Sequence, residues 1–168
     1  MHIDLNCDLG ESTEPAQVAA DLALLSIVTS ASIACGGHAG DESTMAATVE
    51  AALLRGVAIG AHPGYPDRAS FGRIALDMTP DQVEATVFQQ VAALDRLTRA
   101  QGGRLAHVKL HGALYHKAMH DEPTARAIAA AVQRTDPSLF MVAMPGTAAL
   151  HVWRGLGFTV ATEFFADR

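Results

Sequence analysis

The sequence predicts an α/β fold built around a parallel β-sheet. Short apolar segments typical of strands alternate with longer segments of helical periodicity along the 168 residues of the chain. The helical segments are long enough to serve as the crossovers that parallel strands require. Several strand-like segments run into clusters of Asn, Asp, His, Lys and Gly. Because the carboxyl ends of parallel strands open into one crevice, we expect these clusters to converge there as an active site.

Six strands are expected from the short apolar runs, at residues 2–5, 30–34, 57–59, 105–110, 139–143 and 158–162. No linker, low-complexity tract or fixed-period repeat interrupts the alternation, so residues 1–168 are predicted to form a single domain. An eight-unit β/α barrel takes about 250 residues. The strands therefore form either an open doubly wound sheet or a barrel without its last units, and length alone favours the open sheet.

Two helices are expected between the first three strands. The first covers residues 16–29 and has a cap near residues 12–13. The second begins at Asp41 or Ser43. Gly56 ends it, because glycine readily adopts the left-handed conformation of a helix C-cap.

The later helices have clearer boundaries. Residues 79–82 combine an N-cap Thr, a Pro in the first turn and a Gln at the third position, which predicts a helix that ends at residues 102–103. Another helix is expected to begin at Asp121 or Thr124. A short helix follows at residues 147–155.

Composition argues against several classes of partner. A formal net charge of −6 disfavours nucleic acid, because phosphate binding needs a basic stripe. No apolar run approaches the roughly 20 residues that span a bilayer, and the start of the chain lacks the basic residues and long apolar core of a signal peptide. Cys7 and Cys35 are therefore expected to be reduced thiols, and the protein is expected to be cytoplasmic.

The first polar cluster contains Asn6, Asp8 and Glu11. Asn6 and Asp8 are two residues apart and so share one side of an extended strand end. Two neighbouring carboxylates can divide the roles of general acid and base when their surroundings separate their pKa values. The alternative is that Asp8 or Glu11 caps the following helix, but the tight grouping favours a functional site.

The next two clusters each contain a histidine. Glycines flank His38, and their backbone freedom lets N–H groups face a ligand. Asp41 stands at a helix start, where capping explains it at least as well as catalysis does. His62 precedes a proline and is therefore extended, whereas Asp67 belongs to a turn and is expected to be structural. The loop that follows is long, which makes residues 70–73 a candidate lid.

The fourth cluster contains Lys109 and His111, which are two residues apart and point to the same side of the chain. His107 shares that side, whereas His116 and His120 are expected on the surface. Lys109 lies in an apolar strand, where an ammonium group is costly to bury without a partner. It is therefore a candidate functional group, unless its head reaches solvent while its stem packs.

A divalent metal ion is an open alternative as a cofactor. Asp8, His38, His62 and His111 together offer the nitrogen and oxygen ligands of a zinc or manganese site. No pair has the H-x-x-x-H spacing that places two ligands on one helical turn. The sequence has no G-x-S-x-G elbow and no P-loop pattern, which argues against a serine hydrolase and against nucleotide binding through a P-loop.

Read together, the four clusters resemble the LamB/YcsF family, the A subunits of bacterial ATP-dependent 5-oxoprolinases. The matching stretches are residues 3–11, 33–41, 60–67 and 111–115. The resemblance implies a TIM-like parallel β/α barrel related to the glycoside hydrolase/deacetylase superfamily. The family normally continues past Arg168, so the resemblance implies a barrel truncated after six strands.

The resemblance also implies an enzyme complex with B and C subunits that cleaves 5-oxo-L-proline, a cyclic amide, to L-glutamate and consumes ATP. Asp8 or Glu11 is then expected to act as general base on water, and Lys109 to supply positive charge to an oxyanion or a carboxylate. The other expected roles are binding or proton transfer for His38, His62 and His111, and substrate binding for Asn6, Asp41, Tyr65 and Glu163. Two alternatives stay open: a metal-dependent deacetylase or amidohydrolase that acts without ATP, and a non-catalytic partner that only binds the lactam.

Overall fold

The computed structural model describes residues 3–166, which contain a sheet of six parallel strands. The strands are β1 (Asn6–Leu9), β2 (Ser30–Ala34), β3 (Ala58–His62), β4 (Leu105–Lys109), β5 (Phe140–Ala143) and β6 (Val160–Thr162). They lie side by side in chain order, whereas a doubly wound sheet reverses its strand order at a switch point. The fold is therefore an α/β half-barrel. The preference for an open doubly wound sheet is wrong, and the six-stranded part of a parallel β/α barrel is confirmed.

The helices of the described residues are α1 (Pro15–Leu24), α2 (Glu42–Arg55), α3 (Pro80–Ala100), α4 (Gly112–His120), α5 (Glu122–Thr135) and α6 (Ala148–Gly155). Helix α4 is absent from the predicted elements, because the His111 and Gly112 pair at its start is typical of a site loop. Its buried residues nevertheless have helical spacing: Leu114, Tyr115, Ala118 and Met119. None of the helices within residues 3–166 combines the length and the apolar character needed to cross a membrane.

Local structure sets both ends of α2 and the start of α3 at the residues that the sequence predicts. Asp41 caps α2 by accepting a hydrogen bond from the backbone N–H of Thr44, and Gly56 ends the helix with a φ of 67°. Thr79 and Gln82 form a reciprocal capping box at the start of α3. These bonds join residues within three positions of each other, so the sequence suffices to predict them.

Helix α1 departs from the prediction at both ends. It begins at Pro15 after Glu14, whose side chain makes no capping bond, and it ends at Leu24. The cap expected near residues 12–13 is wrong: Ser12 Oγ instead accepts a hydrogen bond from the Glu14 N–H, in an extended segment before the helix.

The starts of α1 and α3 predict different effects of mutation on stability. Thr79→Ala removes a capping bond and is expected to lower the free energy of unfolding by about 1 kcal/mol. Thr13→Ala, at an exposed position outside any helix, is expected to change it by less than about 0.5 kcal/mol. Urea denaturation of both variants measures this difference, and equal losses would contradict the assignment of the caps.

Strand β1 begins after residues 2–5, where the sequence predicts a strand; of these, His2 lies outside the described residues. The Asp4 carboxylate accepts hydrogen bonds from the hydroxyl groups of Thr29 and Ser30, at 2.5 and 2.6 Å. Asp4 itself lies outside the strand, because the pairing of β1 with β2 starts at Asn6, opposite Ser30. The first polar cluster therefore begins within the strand rather than after it.

A layer of polar side chains lines the inner face of the half-barrel. Ser32 Oγ donates to Asn6 Oδ1 at 3.0 Å, and His107 Nε2 lies 3.0 Å from Ser32 Oγ. Gly60 on β3 leaves room for the His107 ring, which a Cβ at that position would overlap. Side chains alternate along a strand, so the residues two positions farther along share this face at the carboxyl ends. They are Asp8 on β1, His62 on β3 and Lys109 on β4.

Candidate active site

Six ionisable side chains meet at the carboxyl ends of the strands. Three lie on strands and three in the segments that follow them: Asp8, His62 and Lys109, and Glu11, His38 and His111. These are the six residues predicted to be catalytic, and the structure brings them together. All except the buried His38 line a cleft of about 830 Å³. A cleft of this size can hold a small-molecule ligand.

Lys109 is buried, with 7% of its surface exposed. Its Nζ lies 2.8 Å from Asp8 Oδ1 and 3.6 Å from Oε2 of Glu163, which follows β6. Burial by itself raises the pKa of the Asp8 carboxyl, but His62 and Lys109 outweigh it and the net shift of the pKa is downward. Lys109 therefore does not reach solvent like a surface lysine; two carboxylates hold its ammonium group within the cleft.

Glu11 is the centre of the histidine group. Its Oε1 lies 3.1 Å from His38 Nε2 and 3.4 Å from His111 Nδ1, while His62 Nε2 lies 3.0 Å from His111 Nδ1. The rings of His38 and His111 stack, with centroids 3.6 Å apart and planes within 2°. Burial raises the pKa of Glu11, but the hydrogen bond from His38 and the other imidazoles give a net downward shift. Glu11 is therefore a carboxylate surrounded by imidazoles.

Backbone carbonyls fix the rings of His62 and His111. His62 Nδ1 lies 2.7 Å from the carbonyl oxygen of Lys109, and His111 Nε2 lies 2.9 Å from that of Phe71. A carbonyl oxygen only accepts, so these two nitrogens carry protons. Burial lowers the pKa of His62 to about 4, and burial together with His38 lowers the pKa of His111. A neutral ring with its proton on the carbonyl side has its acceptor nitrogen on the other, and these two nitrogens, His62 Nε2 and His111 Nδ1, face each other.

The loop of residues 63–79, which contains the predicted lid, is tied to the site by several contacts. Arg68 Nη1 donates to the carbonyl oxygen of Gly40 at 2.7 Å. Phe71 has a φ of 54°, in the left-handed region that residues with a Cβ rarely adopt. This conformation accompanies the contact of its carbonyl oxygen with His111. The loop thus positions a histidine of the site.

Two residues around the site were not predicted from the sequence. Gln90 on α3 clamps Gly64: the Gly64 N–H donates to Gln90 Oε1 at 3.1 Å, and Gln90 Nε2 donates to the Gly64 carbonyl at 2.8 Å. A Cβ at Gly37 would overlap the Gln90 amide. The signal for Gln90 was a polar residue on the apolar stripe of α3. Arg73 belongs to the predicted lid and lines the cleft, but no role in the site was predicted for it.

The predicted substrate-binding residues do not all reach the cleft. Glu163 contacts the buried lysine of the cleft but is not itself a lining residue. Asn6 lies in the polar layer beneath the site, Asp41 is the exposed cap of α2, and Tyr65 is packed in the core with 2% of its surface exposed. Asp67 accepts a backbone hydrogen bond within its loop, which is the structural role expected for it.

Both cysteines are free, as predicted. Burial raises the pKa of Cys7 to about 11, and it raises the pKa of Cys35 to about 12. Their thiols therefore stay protonated at pH 7, which makes them poor nucleophiles.

Because His107 is buried, we expect the free energy of unfolding to depend on pH. Burial lowers its pKa from 6.5 to about 4, so below pH 6.5 the unfolded chain binds a proton that the folded chain does not bind. The free energy of unfolding should fall as the pH falls across this window, by up to about 3 kcal/mol from His107. Urea denaturation in EDTA at several pH values should show a flatter dependence for His107→Asn. The exposed His120→Asn should keep the wild-type slope, and identical slopes for both variants would contradict the prediction.

The fold and the site together define a class: an α/β-barrel protein with carboxylates, a buried lysine and histidines at the carboxyl ends of its strands. In β/α-barrel enzymes this end holds the active site. The chain belongs to the LamB/YcsF family, which matches residues 3–168.

Relatives and a solved structure agree with this membership. The chain is 49% identical to the 5-oxoprolinase A subunit of Heliobacterium modesticaldum over 168 residues and 51% identical to that of Methylococcus capsulatus over 166 residues. The crystal structure of the lactam utilization protein from Thermus thermophilus matches with a TM-score of 0.94 and 44% identity. The matches cover 100%, 99% and 100% of this chain, but 66%, 64% and 68% of those proteins.

Proposed function

We propose that the protein acts as the A component of a 5-oxoprolinase system, which cleaves 5-oxo-L-proline to L-glutamate and consumes ATP together with B and C subunits. The names of the similar proteins, two 5-oxoprolinase A subunits and a lactam utilization protein, support this proposal. The observation that carries it is the ion-paired group of Asp8, Lys109 and Glu163 beside the histidines in a small cleft. Hydrolysis of a cyclic amide needs a base, a cation and a small binding site, and this cleft supplies all three.

The substrate is a lactam that carries a carboxylate, so it offers one negative group and one carbonyl oxygen that gains charge during hydrolysis. Lys109 and Arg73 line the cleft and are suited to these two groups. We assign Lys109 to the developing oxyanion, because it lies deepest, and Arg73 to the carboxylate. Among residues 3–166, the remaining lysines and arginines lie outside the lining of this cleft.

Asp8 is the carboxylate that we assign as general base on water. Glu11 Oε1 is held by His38 and His111, whereas 36% of the Asp8 side chain is exposed. His62 and the pairing with Lys109 keep the pKa of Asp8 low in the free protein. When a substrate oxygen takes over part of the Lys109 interaction, the pKa of Asp8 rises and it becomes a stronger base.

An unstrained lactam resists hydrolysis, and this resistance explains the coupling to ATP. The test is reconstitution of the full-length protein with B and C subunits, followed by measurement of glutamate released from 5-oxoproline. Release is expected only when this protein, both partners and ATP are all present. ATP-independent release by this protein alone would overturn the proposal in favour of a metal-dependent amidohydrolase. Release that is unchanged when this protein is omitted would overturn it as well.

A further inference from the structure

The histidine group contains a contact that neutral side chains alone do not satisfy. His62 Nε2 and His111 Nδ1 lie 3.0 Å apart, at hydrogen-bond distance. Each ring already uses its N–H on a backbone carbonyl, that of Lys109 or of Phe71. A neutral imidazole has only one N–H, so two lone pairs face each other here. Oε1 of Glu11, which is also an acceptor, lies 3.4 Å from the His111 nitrogen and 4.0 Å from the His62 nitrogen.

We propose that Glu11, His62 and His111 form a binding site for a divalent first-row metal ion, with Zn²⁺ as the best match. Three acceptor atoms within 4.0 Å of one another are stabilised by a cation between them. The proposal does not depend on the reaction proposed above, because it concerns only the atoms of these side chains.

The spacing of the three atoms fits such an ion. Zn²⁺ binds nitrogen and oxygen at about 2.0–2.2 Å, which places the ligand atoms of a tetrahedral site about 3.3 Å apart. The observed separations of 3.0, 3.4 and 4.0 Å bracket this value. Two imidazoles and one carboxylate are also a ligand set that zinc, iron and manganese accept. Small rotations of the Glu11 side chain, which is 25% exposed, bring its oxygen nearer to His62.

The surroundings resemble a built metal site rather than a chance grouping. A metal-binding imidazole usually donates the N–H of its other ring nitrogen to a carbonyl or carboxylate, and the geometry of both rings matches this. His38 Nε2 lies 3.1 Å from Glu11 and orients that carboxylate, while its ring stacks on His111. His38 Nδ1 is buried without a hydrogen-bond partner in the described part of the chain. Because a carboxylate oxygen accepts, His38 Nε2 carries the N–H that holds Glu11. His38 is therefore a positioning residue.

The assignment differs from the metal set that the sequence suggests. That set contains Asp8 with three histidines. Asp8 Oδ2 lies 3.4 Å from His62 Nε2, but its Oδ1 pairs with Lys109. Glu11 Oε1 instead lies within 4.0 Å of all three imidazoles. Three protein ligands leave at least one coordination position for water or a substrate oxygen, as in catalytic zinc sites. The cleft lies on this side, since Glu11, His62 and His111 all line it.

Metal binding by the full-length protein alone, without partner subunits, ATP or 5-oxoproline, tests the proposal. The protein is stripped with EDTA, loaded with Zn²⁺ or Co²⁺, and freed of excess ion by gel filtration. Elemental analysis is expected to give about one Zn²⁺ per chain, as one three-ligand site requires. Co²⁺ should give visible absorption bands of a four- or five-coordinate site. Zn²⁺ should also raise the melting temperature.

Two isosteric variants test whether Glu11 is a ligand. Glu11→Gln should weaken Zn²⁺ binding by on the order of 100-fold or more, since loss of outer-shell partners alone costs 10–100-fold. Glu163→Gln, beside Lys109 but outside the cluster, should bind Zn²⁺ as the wild type does. Circular dichroism of the metal-free variants verifies that they are folded. Less than a tenth of an ion per wild-type chain, wild-type affinity in Glu11→Gln, or equal losses in both variants would overturn the proposal. These outcomes are independent of whether the reconstituted complex releases glutamate.

Discussion

Asp8→Asn is expected to lower ATP-dependent glutamate release by the reconstituted complex by about 10²- to 10⁴-fold, the usual contribution of a general base. The substitution keeps the shape of the side chain but removes the group that would accept a proton from water. It also leaves Lys109 with Glu163, 3.6 Å away, as its carboxylate partner. The fold should therefore persist, and the loss should appear mainly in kcat.

The matched control for this variant is Glu122→Gln. Glu122 is an exposed residue of α5 that pairs with Arg126, outside the cleft. Glutamate release is measured for both variants in the same complex, with thermal melting as a test of folding. The control should keep the wild-type rate. A wild-type rate for Asp8→Asn would remove Asp8 from the mechanism and favour a partner that only binds the lactam.

Gly60→Ala is expected to lower the free energy of unfolding by about 3 kcal/mol or more, at the upper end of the cost of overpacking a core. A Cβ at this position would overlap the His107 ring. The ring has little room to withdraw, because it is buried and its Nε2 lies 3.0 Å from Ser32 Oγ. Urea denaturation measures the loss, or failure to fold where the loss exceeds the stability of the protein.

A double-mutant cycle isolates the cause of this loss. His107→Ala alone is also expected to destabilise, because it empties a buried space and removes a partner of Ser32. In the Gly60→Ala/His107→Ala protein the new methyl group enters the vacated space, so the double variant should be more stable than Gly60→Ala. Gly155→Ala, where a Cβ would meet no atom within 4 Å, is the control and should not destabilise. Additive losses would contradict the steric explanation.

The boundaries that the sequence predicted well depend on bonds between near neighbours. The cap of α2 joins Asp41 to Thr44, and the capping box of α3 joins Thr79 to Gln82. The start of β1 was predicted less well, because it depends on pairing with β2, more than 20 positions away. The same applies to the choice between an open sheet and a half-barrel, since the order in which strands pair has no local signal.

The candidate site shows the same division. The histidines, the carboxylates and Lys109 were found because they follow apolar runs, and parallel strands bring such positions to one edge. Their partners were not found. Lys109 and Asp8 are 101 positions apart, and the carbonyl of Phe71 that orients His111 belongs to a loop in an unusual backbone conformation. Contacts of this kind are made or lost by shifts of a few tenths of an ångström, which the spacing of residues in the sequence does not encode.

Residue types and their order were therefore enough to establish an α/β chain with a polar site at its strand ends, and to name the six side chains that meet there. Folding in three dimensions set their contacts: Glu11 lies within 4.0 Å of three imidazoles, and Asp8 lies between Lys109 and His62. The physical reason is how far apart the interacting residues lie along the sequence. Helix caps and strand alternation arise from interactions over a few residues, whereas charge pairing and facing lone pairs arise only when distant segments are held together by the packed barrel.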